Sequence, residues 1–229
     1  SDISLNNTQL LSYKDYQYKI DKLLNGTVVT SYTDADKPKI VTSINPYITT
    51  SKDFQKDIKT VHTVERYNSI YLPEKSTTNI NDGFAITTTE LAYNTPNYTV
   101  GGNYAIGKPL WKTETMQVYG DTKGGKEEYE YNGNLLTKKR TYNRDLSEYI
   151  EESYLYDGFG NIIQKTVENP YNNDDVQAAT TKSQYEDKGR FVIKKTDNLG
   201  LETNITYNDW GLVLTQKDPL NNTLTNTYD

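Results

Sequence analysis

The chain has 229 residues, a net charge of -6 and a mean hydropathy of -0.83. It contains 31 Thr, 23 Asn and 21 Tyr but only 6 Ala. Because β-branched and aromatic residues favour strands and Ala is the best helix former, this composition predicts an all-β protein. It disfavours helical bundles, coiled coils and doubly wound α/β domains.

Several kinds of function are also disfavoured. No apolar run approaches the roughly 20 residues of a membrane helix, so no membrane span is expected. The acidic balance argues against a nucleic-acid partner. Without Cys there is neither a disulfide framework nor a thiolate metal site, and no cofactor motif is present. The sequence opens on Ser1 without an apolar leader, so we expect any signal peptide to lie outside it.

The N-terminal half gives weak signals. Residues 1–59 are weakly assigned, and 43–59 are irregular enough to suggest a short helix or an excursion. Within 60–127, degenerate repeats predict a hairpin with strands at 72–78 and 85–93 and a turn at 79–83. Residues 94–108 break the period and are predicted to form an inserted loop. A Gly-Gly pair at 124–125 predicts another turn.

The C-terminal half, residues 128–229, repeats clearly. Its units begin at tyrosines spaced 25, 29, 22 and 21 residues apart, namely Tyr131, Tyr156, Tyr185, Tyr207 and Tyr228. Each unit predicts a Tyr at a strand end, a tight turn, a strand, a second turn and a Thr-rich returning strand. Two strands and two turns fit about 21 residues well.

The turns explain which residues repeat. Gly supplies positive φ, while Asp or Asn hydrogen-bonds the turn backbone with its side chain. The proposed repeat-motif residues, all structural, are Tyr131, Asn132, Tyr156, Asp157, Gly160, Tyr185, Asp187, Gly189, Asp197, Gly200, Tyr207, Gly211, Asp218, Tyr228 and Asp229. We expect Tyr156, Tyr185 and Tyr207 to end strands at equivalent levels, and Asp157, Asp187 and Asn208 to lie in turns.

These segments resemble the RHS/YD-repeat family, whose pattern is roughly Tyr-Asp-x-x-Gly-Arg/Asn-aliphatic, a strand, Asp-x-x-Gly and a Thr-rich strand. The resemblance rests on 154–168 and 184–229, and more weakly on 128–142. The chain departs from the pattern where Asn208 replaces the motif Asp and where Asn221 or Asn222 replaces the second Gly. Both replacements are compatible with turns.

The resemblance implies an all-β fold in which consecutive antiparallel hairpins form a curved, twisted strip, part of a hollow shell. Members of that family enclose a toxic or effector segment of a large secreted or cell-surface bacterial polypeptide. We therefore expect residues 1–229 to be a single domain and a fragment of a longer chain. Its partner would be the remainder of its own polypeptide, and its role would be structural and non-catalytic.

The alternative interpretation is a carbohydrate- or ligand-binding surface module, with Trp111 and Trp210 as stacking platforms. Exposed aromatic rows would favour sugar binding, whereas aromatics packed between hairpins would favour a shell. A glycosidase is a third reading, since carboxylates cluster at 127–130 and 151–152. Cross-strand pairing with Lys explains that cluster more simply.

The remaining candidates have simpler explanations. His62 is the only His, and it alternates like a strand residue without an evident catalytic or metal partner. Acidic clusters at 34–36 and 172–175 lack the EF-hand order. The C-terminal strand from Thr223 carries no protecting charge, so the sequence predicts self-association through this edge.

Overall fold

The computed structural model describes residues 2–6, 9–25, 27–94, 107–171 and 178–228, with side chains from residue 10 onward. These residues form seventeen strands and two single-turn 3₁₀ helices, at Lys37–Lys39 and Asn81–Gly83. Consecutive strands pair as antiparallel hairpins along most of the chain. The predicted all-β fold class of consecutive hairpins is confirmed. No helix within the described ranges is long and apolar enough to cross a membrane.

The chain divides into two compact units. The first comprises Ser1–Tyr93 and Trp111–Gly125, and the second comprises Asn94–Leu110 and Lys126–Asp229. The assignment of the whole chain to a single domain stays a prediction.

The first unit contains long strands. Its elements are β1 (Asp2–Asn6), β2 (Gln9–Leu24), β3 (Thr27–Val28), β4 (Ile40–Asp53), β5 (Ile58–Tyr67), β6 (Pro73–Ile80), β7 (Ala85–Tyr93), most of β8 (Pro109–Val118) and the start of β9 (Asp121–Asn132). Strand β2 pairs with β1, β3 and β4, and the ladder continues from β4 through β5 and β6 to β7.

The second unit consists of shorter strands in strict succession. It holds the rest of β9, then β10 (Leu135–Tyr142), β11 (Tyr149–Tyr156), β12 (Ile162–Glu168), β13 (Ala179–Tyr185), β14 (Val192–Thr196), β15 (Glu202–Tyr207), β16 (Val213–Lys217) and β17 (Thr223–Thr225). Each strand pairs with the next. Tyr156, Tyr185 and Tyr207 each end a strand.

Two local predictions are wrong. Residues 43–59 hold no helix, because strand β4 continues to Asp53, with Pro46 tolerated at a register shift opposite Tyr18. Gly124 and Gly125 lie inside β9 and not in a turn. A Cβ on Gly124 would lie 3.1 Å from the Glu114 carbonyl oxygen, so this glycine permits close approach of backbone.

The hairpin predicted around 79–83 is present, with β6 and β7 as its strands. The inserted loop predicted at 94–108 falls mainly on 95–106, which lie outside the described residues. Its ends meet, since the Asn94 amide donates to the Lys108 carbonyl at 3.0 Å.

The hydrophobic core is thin. Among residues whose burial is described, the buried apolar side chains are Val64, 7% exposed, and Ala85, 8% exposed. Half-buried Thr, Tyr, Lys and Glu cover most of the sheet. Stability therefore depends on contacts between neighbouring strands and turns more than on a deep interior.

Candidate functional site

The repeated turn is the most regular feature of the molecule. Seven described turns share one hydrogen bond, in which the amide of the fourth turn residue donates to the carbonyl of the first, at 2.8–3.2 Å. A second bond returns from the amide of the first residue to the carbonyl four or five residues ahead. The first residues are Asn68, Asn143, Asp157, Glu186, Asp197, Asn208 and Asp218.

The first side chain of each turn closes it. Asp157 Oδ1 accepts hydrogen bonds from the amides of Phe159 and Asn161, both at 2.9 Å. Asp197, Asn208, Asp218 and Asn68 accept the equivalent pair of amides in their turns. The hydrogen bond from the Asn222 side chain, together with those from the turn amides, lowers the pKa of Asp218 despite some desolvation. The Asp218 carboxylate is consequently held in its ionised form as a turn acceptor.

In the Tyr185 unit Asp187 lies in the turn, as predicted, but another side chain closes the turn. The side chain that receives the turn amide is Glu186, whose Oε1 accepts from the Arg190 amide at 2.9 Å. Asp187 lies one position later, within the turn, where Gly158 and Asp209 stand in the flanking units. The return bond of this turn spans five residues, from the Glu186 amide to the Phe191 carbonyl, as it does in the turn that Asn143 opens.

The fourth residue of every one of these turns has positive φ. Gly160, Gly189, Gly200 and Gly211 fill it in four turns, with φ between 68° and 87°. Asn221, with φ 70°, takes it in the turn where the sequence lacks Gly. Tyr71 and Leu146 take it in the remaining two, at φ 61° and 59°, which costs about 1–2 kcal/mol for a side-chain-bearing residue.

Neighbouring units pack ring against glycine. A Cβ on Gly189 would lie 2.4 Å from the Phe159 ring of the preceding unit, and one on Gly211 would lie 2.4 Å from the Phe191 ring. The Phe191 ring also stacks on Tyr207 at 5.0 Å between centroids. Gly189 and Gly211 thus serve two purposes, positive φ and room for a ring.

Three of the motif tyrosines hydrogen-bond the unit before their own. Their hydroxyls donate to backbone carbonyls 15 or 20 residues back, from Tyr156 to Leu136, from Tyr207 to Val192 and from Tyr228 to Val213, at 2.6–2.9 Å. In the first unit the Tyr93 hydroxyl donates to Pro73 at 2.8 Å. The Tyr131 ring instead receives the Lys108 ammonium, at 5.2 Å from its centroid. Sequence reasoning placed these tyrosines at strand ends but missed their acceptors.

The carboxylates at 127–130 and 151–152 belong to an ionic cluster on β9, β10 and β11. Arg140, which sequence reasoning overlooked, stands directly opposite Glu128 and Glu151 in the register. Its Nε lies 2.8 Å from Glu151, and Nη2 lies 2.7 Å from Glu130. Lys138 completes the cluster at 2.6 Å from Glu151, which is only 6% exposed.

The electrostatics of this cluster suit structure better than acid–base chemistry. Burial alone would raise the pKa of Glu151, but hydrogen bonds from Lys138 and Arg140 outweigh it and lower that pKa. The hydrogen bond from Lys126 is the main cause of the lowered pKa of Glu128. A glycosidic general acid requires a raised pKa, and both carboxyls move the other way.

The other candidates are placed as follows. His62 lies in β5 and shares a hydrogen bond with Thr78, with its Nδ1 3.0 Å from Oγ1. Trp210 projects from its turn and is 89% exposed, whereas Trp111 is half-buried in β8. Among the described residues no group of three or more His, Cys, Asp or Glu could hold a metal. The acidic cluster at 172–175 lies outside the described residues.

Comparison with known proteins bears on the fold. The chain is similar to one in the crystal structure of TcdB2-TccC3-Cdc42, with a TM-score of 0.51 and 9% sequence identity. The match covers 91% of this chain and 15% of that chain, so this chain spans a small part of that one's length. No family model and no curated protein matches the sequence. At this identity the likeness establishes shared fold and nothing further.

Proposed function

We propose that this chain is a non-catalytic structural segment of an RHS/YD-repeat shell that encloses or presents an effector segment of a larger polypeptide. The observation that carries the proposal is the packing between units, where each repeat contributes a ring, a hydroxyl or a turn glycine to its neighbour. Such contacts build a continuous wall without requiring any site on it.

The arrangement of the aromatic rings supports this proposal over a sugar-binding surface made of repeat residues. Phe159, Phe191 and Tyr207 pack between hairpins, and Tyr142 contacts Tyr149 at 5.1 Å between ring centroids. Exposed rings do occur at turns, with Trp210 89%, Tyr119 83% and Phe159 68% exposed, but the Phe159 ring also covers Gly189 of the following repeat. The fold similarity to the TcdB2-TccC3-Cdc42 structure is compatible with the same role.

Under this proposal the partners are further repeats and the enclosed segment of the same polypeptide, which would be secreted or displayed at a cell surface. The test uses the complete polypeptide, digested with a non-specific protease. An enclosed segment should resist digestion in the native protein and become sensitive when Gly189→Ala disrupts the contact with Phe159. Gly200→Ala, where a Cβ meets nothing within 4 Å, is the matched control and should preserve protection.

If the native polypeptide shows no protected segment, the containment role is wrong. Equal loss of protection in both variants would show that protection reports general stability, which also contradicts the proposed role of the contacts between units.

A further inference from the structure

A pocket opens in the first unit where its sheet divides. Strand β4 pairs with β5 only from Ile48 opposite Thr63 to Asp53 opposite Ile58. The earlier part of β4 continues alone with β2, as far as Ile40 opposite Leu24, while the later part of β5 continues with β6. The two halves separate and leave a concave space between them.

The pocket has a volume of about 830 Å³, within the roughly 300–1,000 Å³ of small-ligand sites. Apolar walls come from Leu23, Val28 and Val64. The polar and aromatic side chains around it are Lys19, Asp21, Tyr47, Arg66, Tyr67 and Tyr71.

Two tyrosines hold the pocket open. The Tyr67 hydroxyl donates to the Pro46 carbonyl, and the Tyr71 hydroxyl donates to Asp21 Oδ2 at 3.2 Å. Their ring centroids lie 6.3 Å apart with the rings tilted by 52°, which forms an aromatic corner of the pocket. Burial raises the pKa of both hydroxyls, and the Asp21 carboxylate adds to this for Tyr71. The site is therefore formed before any ligand arrives, which reduces the ordering cost of binding.

The charges around the pocket are already balanced. Lys19 lies 3.5 Å from Asp21, Arg66 lies 3.0 Å from Glu74, and Glu65 lies 3.3 Å from Lys75. An ionic ligand would have to compete with these internal pairs and would gain little net attraction. Donors and acceptors nevertheless stand side by side, an arrangement that suits hydroxyl groups, which both donate and accept.

We propose that this pocket binds a neutral pyranose saccharide, with the Tyr47 ring against one sugar face and Asp21 and Arg66 hydrogen-bonding its hydroxyls. Tyr47 is 43% exposed, so its ring is accessible within the pocket. A pyranose has an apolar C–H face and a polar rim, which matches an aromatic wall beside mixed polar groups.

This site differs from the one that the sequence indicated for carbohydrate. Trp111 and Trp210 do not line the pocket. The pocket shares the Asn68 turn with the repeated turns, but the inference is tested by binding and not by protection of an enclosed segment. Either can fail without the other.

The test measures saturation-transfer NMR and calorimetric binding with methyl glycosides of glucose, galactose, mannose and N-acetylglucosamine, and with glucuronate as an anionic comparison. At least one neutral glycoside should bind, and Tyr47→Ala should weaken it by about tenfold or more. Asp21→Asn should also weaken binding. Tyr18→Ala is the matched control: Tyr18 is 52% exposed on β2 but does not line the pocket, and its loss should leave binding unchanged.

Three results would overturn the proposal: no binding of any neutral glycoside, preference for glucuronate over every neutral glycoside, or equal weakening by Tyr47→Ala and Tyr18→Ala. Thermal unfolding of each variant, followed by circular dichroism, shows whether a loss of binding reflects the pocket or the fold.

Discussion

The regular hairpins of residues 149–228 and the long strands of residues 9–67 build antiparallel sheet in two different ways. In the former, strands of three to eight residues are joined by turns of one geometry, except between β12 and β13, where residues 172–177 lie outside the described part of the chain. In the latter, β2 and β4 extend over 16 and 14 residues and pair with each other along most of that length. The short strands pair with their neighbours one after another. The β2–β4 pair extends beyond the residues of β4 that pair with β5, and a pocket lies where that pairing ends.

The difference shows that turn spacing decides whether the sheet is a continuous wall or opens to a ligand-sized space. Where Asp or Asn and Gly recur every ten or eleven residues, as at Asp197, Asn208 and Asp218, the chain must reverse and stack. Residues 40–53 have no such Asp or Asn and Gly turn pattern. Strand β4 therefore runs uninterrupted from Ile40, although it pairs with β5 only from Ile48 onward.

The largest effect is expected at a glycine beneath a ring. Gly189→Ala places a Cβ 2.4 Å from the Phe159 ring and strains a φ of 68°. Overpacking and the left-handed backbone should together destabilise the chain by about 2–4 kcal/mol. Urea unfolding provides the measurement.

Gly200→Ala separates the two causes. Its φ is 81° but the Cβ meets nothing within 4 Å, so only the backbone cost of about 1–2 kcal/mol should remain. Equal effects at the two glycines would show that ring packing between units contributes nothing.

The next largest effect is a dependence of folding stability on pH, caused by the ionic cluster around Arg140. The lowered pKa values of Glu151 and Glu128 mean that the folded state favours their ionised forms. This stability is present above the unfolded pKa of about 4.3 and is lost as the pH falls through the folded pKa values. Glu151→Gln should therefore destabilise by about 2 kcal/mol at neutral pH and much less in acid.

Urea unfolding at several pH values measures this effect. Glu148→Gln, at an exposed carboxyl outside the cluster, is the control and should leave the pH profile nearly unchanged. A Glu151→Gln profile parallel to that of the unmodified chain would contradict the assignment.

A smaller, stabilising effect is expected at Leu146, which holds a φ of 59° at the position that four of the other turns fill with Gly. Leu146→Gly should relieve the backbone strain in the folded state. Because Gly also makes the unfolded chain more flexible, part of this gain is offset, and the net stabilisation should be about 0.5–1 kcal/mol. Thermal unfolding checks this. Leu199→Gly, one position before the left-handed residue of its own turn, should destabilise instead.

The smallest effect on stability is expected at β17, where the predicted self-association would occur. All three residues of this strand are exposed, and no charged residue lies between Asn221 and Tyr228 in the sequence. We expect concentration-dependent light scattering that Leu224→Lys abolishes, with little change in unfolding. A chain that is monomeric with or without this substitution at high concentration rules out association through this edge.

Much of the second unit could be predicted because its determinants are local. Gly200 and Asp218 act within their own turns, so residue type and spacing predict the backbone. Asp187 lies in its turn as predicted, but the role of Glu186 as the acceptor of the turn amide was missed because two acids adjoin there. Gly124 was misread because glycine marks both turns and close backbone approach, which depend on strands distant in sequence.

The pocket could not be predicted for the same reason. It depends on where Ile48 meets Thr63 and on the reach of Tyr71 to Asp21, fifty residues away. No local pattern encodes a register over that separation. The Arg140 cluster likewise joins three strands, and its acidic members alone gave an ambiguous signal.

The tyrosine hydroxyl bonds have a consequence for how the chain acquires its structure. Tyr207 and Tyr156 reach back only 15 and 20 residues, so each hairpin finds its partners in the hairpin just made. Loop closure over such distances is fast, and contacts of short sequence separation favour rapid folding. A chain that is synthesised from its N-terminus can therefore fold one hairpin at a time. A tyrosine hydroxyl can hydrogen-bond the preceding hairpin before the following hairpin has formed. We expect pulsed hydrogen exchange during refolding to show protection spreading between adjacent hairpins, whereas simultaneous protection of all strands would contradict this order.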